Sequence, residues 1–153
     1  MNPSLIGHPF TDQNQTLCIT KKVLKRLIAE GREAFPHEYV ALLAGSGSTV
    51  LAHYPATKSE TTQQTFHLTG VTLLSHLKKM EADGLTWLGM VHTHPTTPPI
   101  PSAADLAGWH YPALGYWVMS LADSEPEEAE LVLYQLVEGT FVRREYAVVD
   151  LQE

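Results

Sequence analysis

Cysteine is almost absent from this chain, positive charge is thin, and no apolar run is long. Cys18 is the only thiol, so neither an internal disulfide nor a multi-cysteine zinc site can form, and a reducing compartment is the simpler expectation. It lies in the strand-like run Thr16 to Thr20, where a buried structural role is expected. Ten Lys and Arg stand against seventeen Asp and Glu, for a net charge of −7 and a pI of about 5.5. The basic residues are scattered, with their densest cluster between Lys21 and Arg26, so no nucleic-acid partner is expected. The longest apolar run, Val40 to Ala44, falls far short of the roughly 20 residues of a membrane helix, so no membrane partner is expected either. Met1 to Phe10 lack the basic start and apolar stretch of a signal peptide, and a cytoplasmic location follows as an expectation. Internal repeats and long linkers are missing too. What is present is 153 residues with 44% apolar content, enough for one globular domain with a real core.

The pattern along the chain is that of a single α/β domain, a mixed sheet flanked by helices. Residues 1–15 read as a polar N-terminal arm and 16–150 as the domain. Leu17 and Ile19 alternate with polar neighbours as a first strand. Val23, Leu24, Leu27 and Ile28 then form a helical stripe over 21–35, with Thr20 placed to cap it and Pro36 to end it. Residues 38–45 read as a buried strand, 45–48 as a turn and 49–54 as its neighbour. Further on come a short strand at Phe66–Leu68 and a helix over 71–82. That helix has Leu74, Leu77 and Met80 inward and Gly84 at its end. A strand at 86–93 follows, then a short helix over 102–110 and strands at 116–121, 131–137 and 140–149, the last two joined at Glu138-Gly139.

The chemistry lies in His92-Thr93-His94-Pro95 and, six residues on, Ser102-Ala103-Ala104-Asp105. On a strand, residues i and i+2 share a face, so His92 and His94 project side by side. Asp105 comes from a separate element, one turn into the helix that starts at Ser102. Two imidazoles and a carboxylate leave a fourth tetrahedral position open, which is the pattern of catalytic zinc. Calcium and magnesium prefer an all-oxygen shell, so one zinc per chain is the expected cofactor. Pro95, Pro98, Pro99 and Pro101 fix φ and remove four donors, so the intervening loop is stiff and sets where the helix begins. Ser102-x-x-Asp105 taken alone is a capping box, and a histidine pair taken alone is more often structural than ligating. Their conjunction favours a metal site.

That conjunction resembles the JAMM (MPN+) motif of zinc metalloisopeptidases, a His-x-His-Pro run followed by Ser-x-x-Asp, with a glutamate from an earlier strand. Pro36 to Gly45 is similar to the segment that carries the glutamate, which points to Glu38, and Trp87 to Val91 is similar to the strand that leads into the histidines. Thr93 departs from the serine found in many members and is expected to face away from the metal. The resemblance implies a single JAB/MPN domain with a cytidine-deaminase-like layout. It implies His92, His94 and Asp105 as ligands, Glu38 as general acid/base and Ser102 as hydrogen-bond donor to the tetrahedral oxyanion. A compact chain is similar to the prokaryotic branch. The implied substrate is then the C-terminal Gly-Gly tail of a ubiquitin-like β-grasp sulfur carrier, bound extended, and a homodimer is a further expectation.

Two other readings compete. A non-catalytic MPN scaffold for protein assembly would lack the ligands that are all present here. A DNA-repair-associated JAMM relative carries a similar run, but the acidic balance disfavours it. A zinc nucleoside deaminase needs a Pro-Cys-x-x-Cys element, which a single cysteine excludes. His37, His67 and His110 are expected at the surface or behind the ligands, and Trp87, Trp109 and Trp117 in the core or a groove wall.

Overall fold

Thr20 turns the first strand directly into the first helix, its hydroxyl accepting the Val23 N–H at 3.2 Å. The structure is a computed structural model that describes residues 6–10, 16–56, 70–122, 125 and 128–151. Its elements run β1 (Leu17–Thr20), α1 (Lys21–Ala34), β2 (Val40–Ser46), β3 (Thr49–Pro55), α2 (Gly70–Ala82) and β4 (Thr86–His94). They continue with α3 (Ala103–Gly108), β5 (Gly115–Ser120), β6 (Glu130–Val137), β7 (Thr140–Arg144) and β8 (Tyr146–Val149). The strands form one mixed sheet in the order β7-β6-β5-β4-β2-β3-β1-β8, with β4–β5, β1–β3 and β1–β8 parallel. The expected strand at Phe66–Leu68 lies outside the described residues. Among those described, no helix is long and apolar enough to cross a membrane.

β2, β4 and β5 are central and covered on both faces, which is why they read as continuous apolar runs and not as alternating ones. Ala41, Leu43, Val91, Trp117 and Met119 face the α1 side, where they meet Val23 and Leu27. Val40, Leu42, Met90, Tyr116 and Val118 face the other side, with Leu77 and Met80 of α2. Two expectations need correction here. Leu74 is exposed, and the inner stripe of α2 is Leu73, Leu77 and Met80, with Leu73 in place of Leu74 giving i, i+4, i+7 spacing. Cys18 is only half-buried, on the face of β1 opposite Leu17 and Ile19, and its thiol donates to the Thr16 carbonyl at 3.3 Å.

A third correction concerns the expected strand 140–149. It is two strands, and Glu145 alone separates β7 at one end of the sheet from β8 at the other. The sheet therefore curls around the α1 core. Tyr146 closes it, its ring 5.0 Å from Trp117 and its hydroxyl donating to the Leu131 carbonyl at 2.7 Å. At the N-terminal end, Ile6 bridges to Trp87, and the Gly7 N–H donates to the Trp87 carbonyl at 2.8 Å.

Close approach of β4 and β5 depends on a glycine pair, Gly89 opposite Gly115. A Cβ on Gly89 would collide with the Gly115 carbonyl, a backbone group that cannot rotate away. Gly89→Ala is expected to lower stability by about 2 kcal/mol or more. A fall in the urea midpoint at unchanged m is the measurement, and an unaltered midpoint would show that the strand spacing gives more freely than this packing implies.

Candidate metal centre

β4 carries His92 and His94 two residues apart, so both rings leave the same face, with centroids 5.0 Å apart. His92 is fully buried and His94 nearly so. Asp105 on α3 meets both, its Oδ1 3.0 Å from His92 Nε2 and its Oδ2 3.4 Å from His94 Nε2. His94 Nδ1 lies 2.8 Å from the Pro98 carbonyl. A carbonyl only accepts, so Nδ1 holds the hydrogen and Nε2 is the nitrogen presented to Asp105.

Ser102-x-x-Asp105 reads in sequence as either cap or ligand, and the geometry serves both. Ser102 Oγ accepts the Asp105 N–H at 3.1 Å, and Asp105 Oδ2 accepts the Ser102 N–H at 2.7 Å, a complete capping box. The cap fixes the carboxylate that faces the imidazoles. The proline loop is fastened from three strands: His94, Ser120 and Tyr134 donate to the carbonyls of Pro98, Thr97 and Pro99 at 2.8, 2.6 and 2.7 Å.

Glu38 lies two residues before Val40, which pairs with His92, and it enters the same face. Glu38, His92 and His94 each offer one ligand atom, all within 4.8 Å of one another. Glu38, His92 and His94 thus form one cluster, Asp105 touches both rings, and Ser102 reaches the site only through Asp105. The two carboxyls differ electrically. Burial, then the charge of Asp105, raises Glu38 to about 7, with His94 partly opposing. Burial also works against Asp105, but the His94 hydrogen bond, the His92 ring and the Ser102 N–H bring it down to about 2. Burial lowers His92 to about 4, with the Asp105 charge opposing, so that ring is neutral at pH 7.

Tyr116 joins the site without any sign in the sequence. Its hydroxyl is 3.1 Å from His92 Nε2, and its ring meets His92 edge-on at 5.2 Å. Burial and the Asp105 charge push its ionisation far up, so it remains a phenol. Only the position of β5 beside β4 brings it there, with Tyr116 opposite Met90, and a single tyrosine opening a strand gives no such signal. Behind it, Trp109 and Trp87 continue an aromatic wall, and Trp117 packs on the other face. His37 and His110 are exposed, and His67 lies outside the described residues.

The donor set suits zinc. Two imidazoles and an anionic carboxylate converge, and each fixed orientation has an outer partner: Pro98 for His94, the Ser102 N–H for Asp105. Residues 20–136 match the family model described as prokaryotic homologs of the JAB domain. The chain belongs to that family. Among solved structures, this prokaryotic JAB-domain chain is similar to a Desulfitobacterium hafniense protein, at 28% identity and TM-score 0.77, covering 89% of this chain and 94% of that one. It also shares the fold of an Archaeoglobus fulgidus JAB1/MPN domain protein, at 20% identity and TM-score 0.58, over 86% and 98% of the two chains. A structure described as JAMM, a metalloprotease-like zinc site in the proteasome and signalosome, has the same fold at 20% identity and TM-score 0.55. The match covers 89% of this chain and all of that one. No curated protein matches the chain.

The Asp105 contacts carry a pH signature in the metal-free protein. Asp105 folds with a pKa below its unfolded value of about 3.9, so its stabilisation is present above about pH 4 and fades toward pH 2. For His94, burial opposes the charged ring, but the Asp105 hydrogen bond, the Pro98 carbonyl and two nearby carboxylates raise it. Its contribution is therefore full below about 6.5 and lost as the pH climbs through the folded value. The destabilisation caused by Asp105→Asn, read from urea unfolding across pH, is expected to peak between about pH 4 and 6.5. Growth of that difference from pH 6 to pH 9 would contradict the pairing.

Proposed function

We propose that this chain is a zinc-dependent metallopeptidase or isopeptidase that cleaves after the C-terminal Gly-Gly of a ubiquitin-like sulfur carrier. The observation that carries the reading is the division of its two carboxyls. Asp105 is an anion locked against both imidazoles, and Glu38 is a carboxyl poised near neutrality beside them. Groups whose environments drive their pKa values apart take different parts in acid–base chemistry.

His92, His94 and Asp105 would hold a zinc ion, which when bound would supply a Lewis acid and lower the pKa of its water toward neutrality. Glu38 would take the proton of the attacking water and deliver it to the leaving nitrogen, from a carboxyl whose ligand atom lies within 4.8 Å of those of both histidines. Ser102 accepts the Asp105 N–H through its oxygen and keeps its hydroxyl proton to donate to the tetrahedral oxyanion. The Pro98 carbonyl holds the His94 ring through Nδ1, and the Tyr116 ring packs edge-on against His92. A net charge of −7 favours a protein substrate over a polyanion. Glycines at the cut site suit a tail that must pass close to the buried histidines with no Cβ in the way.

Metal analysis of the protein, never exposed to chelator, should find one zinc per chain, with strong loss in His92→Ala and Asp105→Ala. Glu38→Gln should keep zinc and fold yet lose about two orders of magnitude or more in rate. Ser102→Ala should cost less than the roughly 10²–10³ of a lone oxyanion donor, because the metal shares that task. Loss of zinc from Glu38→Gln would make Glu38 a ligand and remove it as the proton carrier.

The substrate is tested by mass spectrometry on a β-grasp carrier that ends in Gly-Gly followed by cysteine, or that is joined to lysine through an isopeptide bond. Release of the terminal adduct is expected, with an Ala-Ala carrier resistant. Equal cutting of both, or of an unrelated unfolded protein, would indicate a general peptidase.

A further inference from the structure

Thr93 stands between the two histidines but turns to the opposite face of β4, where it is fully buried. Its N–H donates to the Tyr39 carbonyl at 2.9 Å, and its Oγ1 accepts the Tyr39 N–H at 2.8 Å. In a regular antiparallel ladder such a pair exchanges two backbone bonds. Pairing of β2 with β4 is regular at Val40 opposite His92, yet one residue earlier the Tyr39 N–H goes to a side chain. The threonine hydroxyl therefore replaces a strand carbonyl at the point where the chain leaves the sheet, and Glu38 is the next residue out.

Two further contacts fix that hydroxyl and its partner. A β-branched side chain has few rotamers, and the Thr93 methyl fills the space that a side chain on Gly31 would need. A Cβ there would sit 3.0 Å from Thr93 Cγ2 and 3.1 Å from Met119 Cε. With the methyl seated against α1, Oγ1 has one direction left. Tyr39 is held from its other end as well, its phenol donating to Glu30 Oε1 at 2.7 Å, and Glu30 Oε2 lies 2.9 Å from His53 Nε2. Residue 39 is thus tied by its amide, its carbonyl and its phenol, and it carries Glu38 with it.

We propose that Thr93 is the positioning residue for Glu38, its hydroxyl standing in for a backbone carbonyl so that the glutamate leaves the strand directed at His92 and His94. This rests on the reading of Glu38 as proton carrier. Thr93→Ser keeps the acceptor and loses only the methyl that orients it. Thr93→Val keeps the shape and leaves a buried N–H without its acceptor. Steady-state kinetics on the Gly-Gly carrier, zinc content and amide hydrogen exchange at Tyr39 form the test. Thr93→Ser is expected within about threefold of wild-type kcat, with the Tyr39 amide still protected. Thr93→Val should lower kcat about 10–100-fold at nearly constant KM and one zinc per chain, the scale of a reacting group displaced by about an ångström. Its Tyr39 amide should exchange at least about tenfold faster. Should Thr93→Val fail to fold, Thr93→Ala carries the same comparison without the second methyl. Wild-type kcat and Tyr39 exchange in the valine or alanine variant, or a serine variant as impaired as they are, would overturn the proposal. If the wild type itself leaves the carrier uncut, the substrate reading fails, and the exchange data alone decide whether Thr93 anchors residue 39.

Discussion

A carboxylate held against two buried imidazoles governs the local architecture. Removing an anion from water costs several kcal/mol unless its lone pairs are met, and Asp105 meets them with His92, His94 and the Ser102 N–H. Each partner imposes a demand. The histidines must share one face of a strand that is covered on both sides, which makes β4 central. Ser102 must begin a helix at a fixed distance from that strand, which makes the capping box part of the site as well as of α3. A six-residue helix with no buried residue of its own has little else to hold it in place.

The proline loop answers the distance problem in an economical way. Pro95, Pro98, Pro99 and Pro101 donate no hydrogen bond, so the segment presents mostly acceptors, and consecutive carbonyls from Thr97 to Pro99 are taken by Ser120, His94 and Tyr134. The donors come from β4, β5 and β6, three adjacent strands. The loop's position is thereby inherited from the sheet. His94 belongs to both systems, with Nδ1 holding the loop and Nε2 facing Asp105, so a loop that shifted would turn the ring.

Features that depend on periodicity or on residues close in sequence are legible from the amino acids alone. The parity of His92 and His94, the Thr20 cap, the α1 stripe and the Ser102–Asp105 box belong to this class. Features set by which strand lies beside which are not. Tyr116 reaches His92 across a parallel pair, and Thr93 reaches Tyr39 across an antiparallel one, at separations of 24 and 54 residues. The division of 140–149 into β7 and β8 is hidden for the same reason. No turn residue marks the break at Glu145, and only the change of partner, from β6 to β1, reveals it. The error at Leu74 is one of phase: Leu73 and Leu74 both fit an apolar stripe, and contact with the sheet decides between them.

The two faces of β4 divide the labour of the site. The even-numbered residues, His92 and His94, face the aromatic wall and Asp105. Thr93 between them faces α1 and secures the strand that brings Glu38. This arrangement also sets how the centre tolerates the lack of a metal. Burial opposes charge on the His94 ring, but its contacts with Asp105 and the Pro98 carbonyl raise it, so Asp105 faces a group biased toward the charged form. A cation held by the same atoms requires the proton of that form to leave, because nitrogen can give its lone pair to only one of them. The site is therefore compensated in both states, by a proton or by a metal.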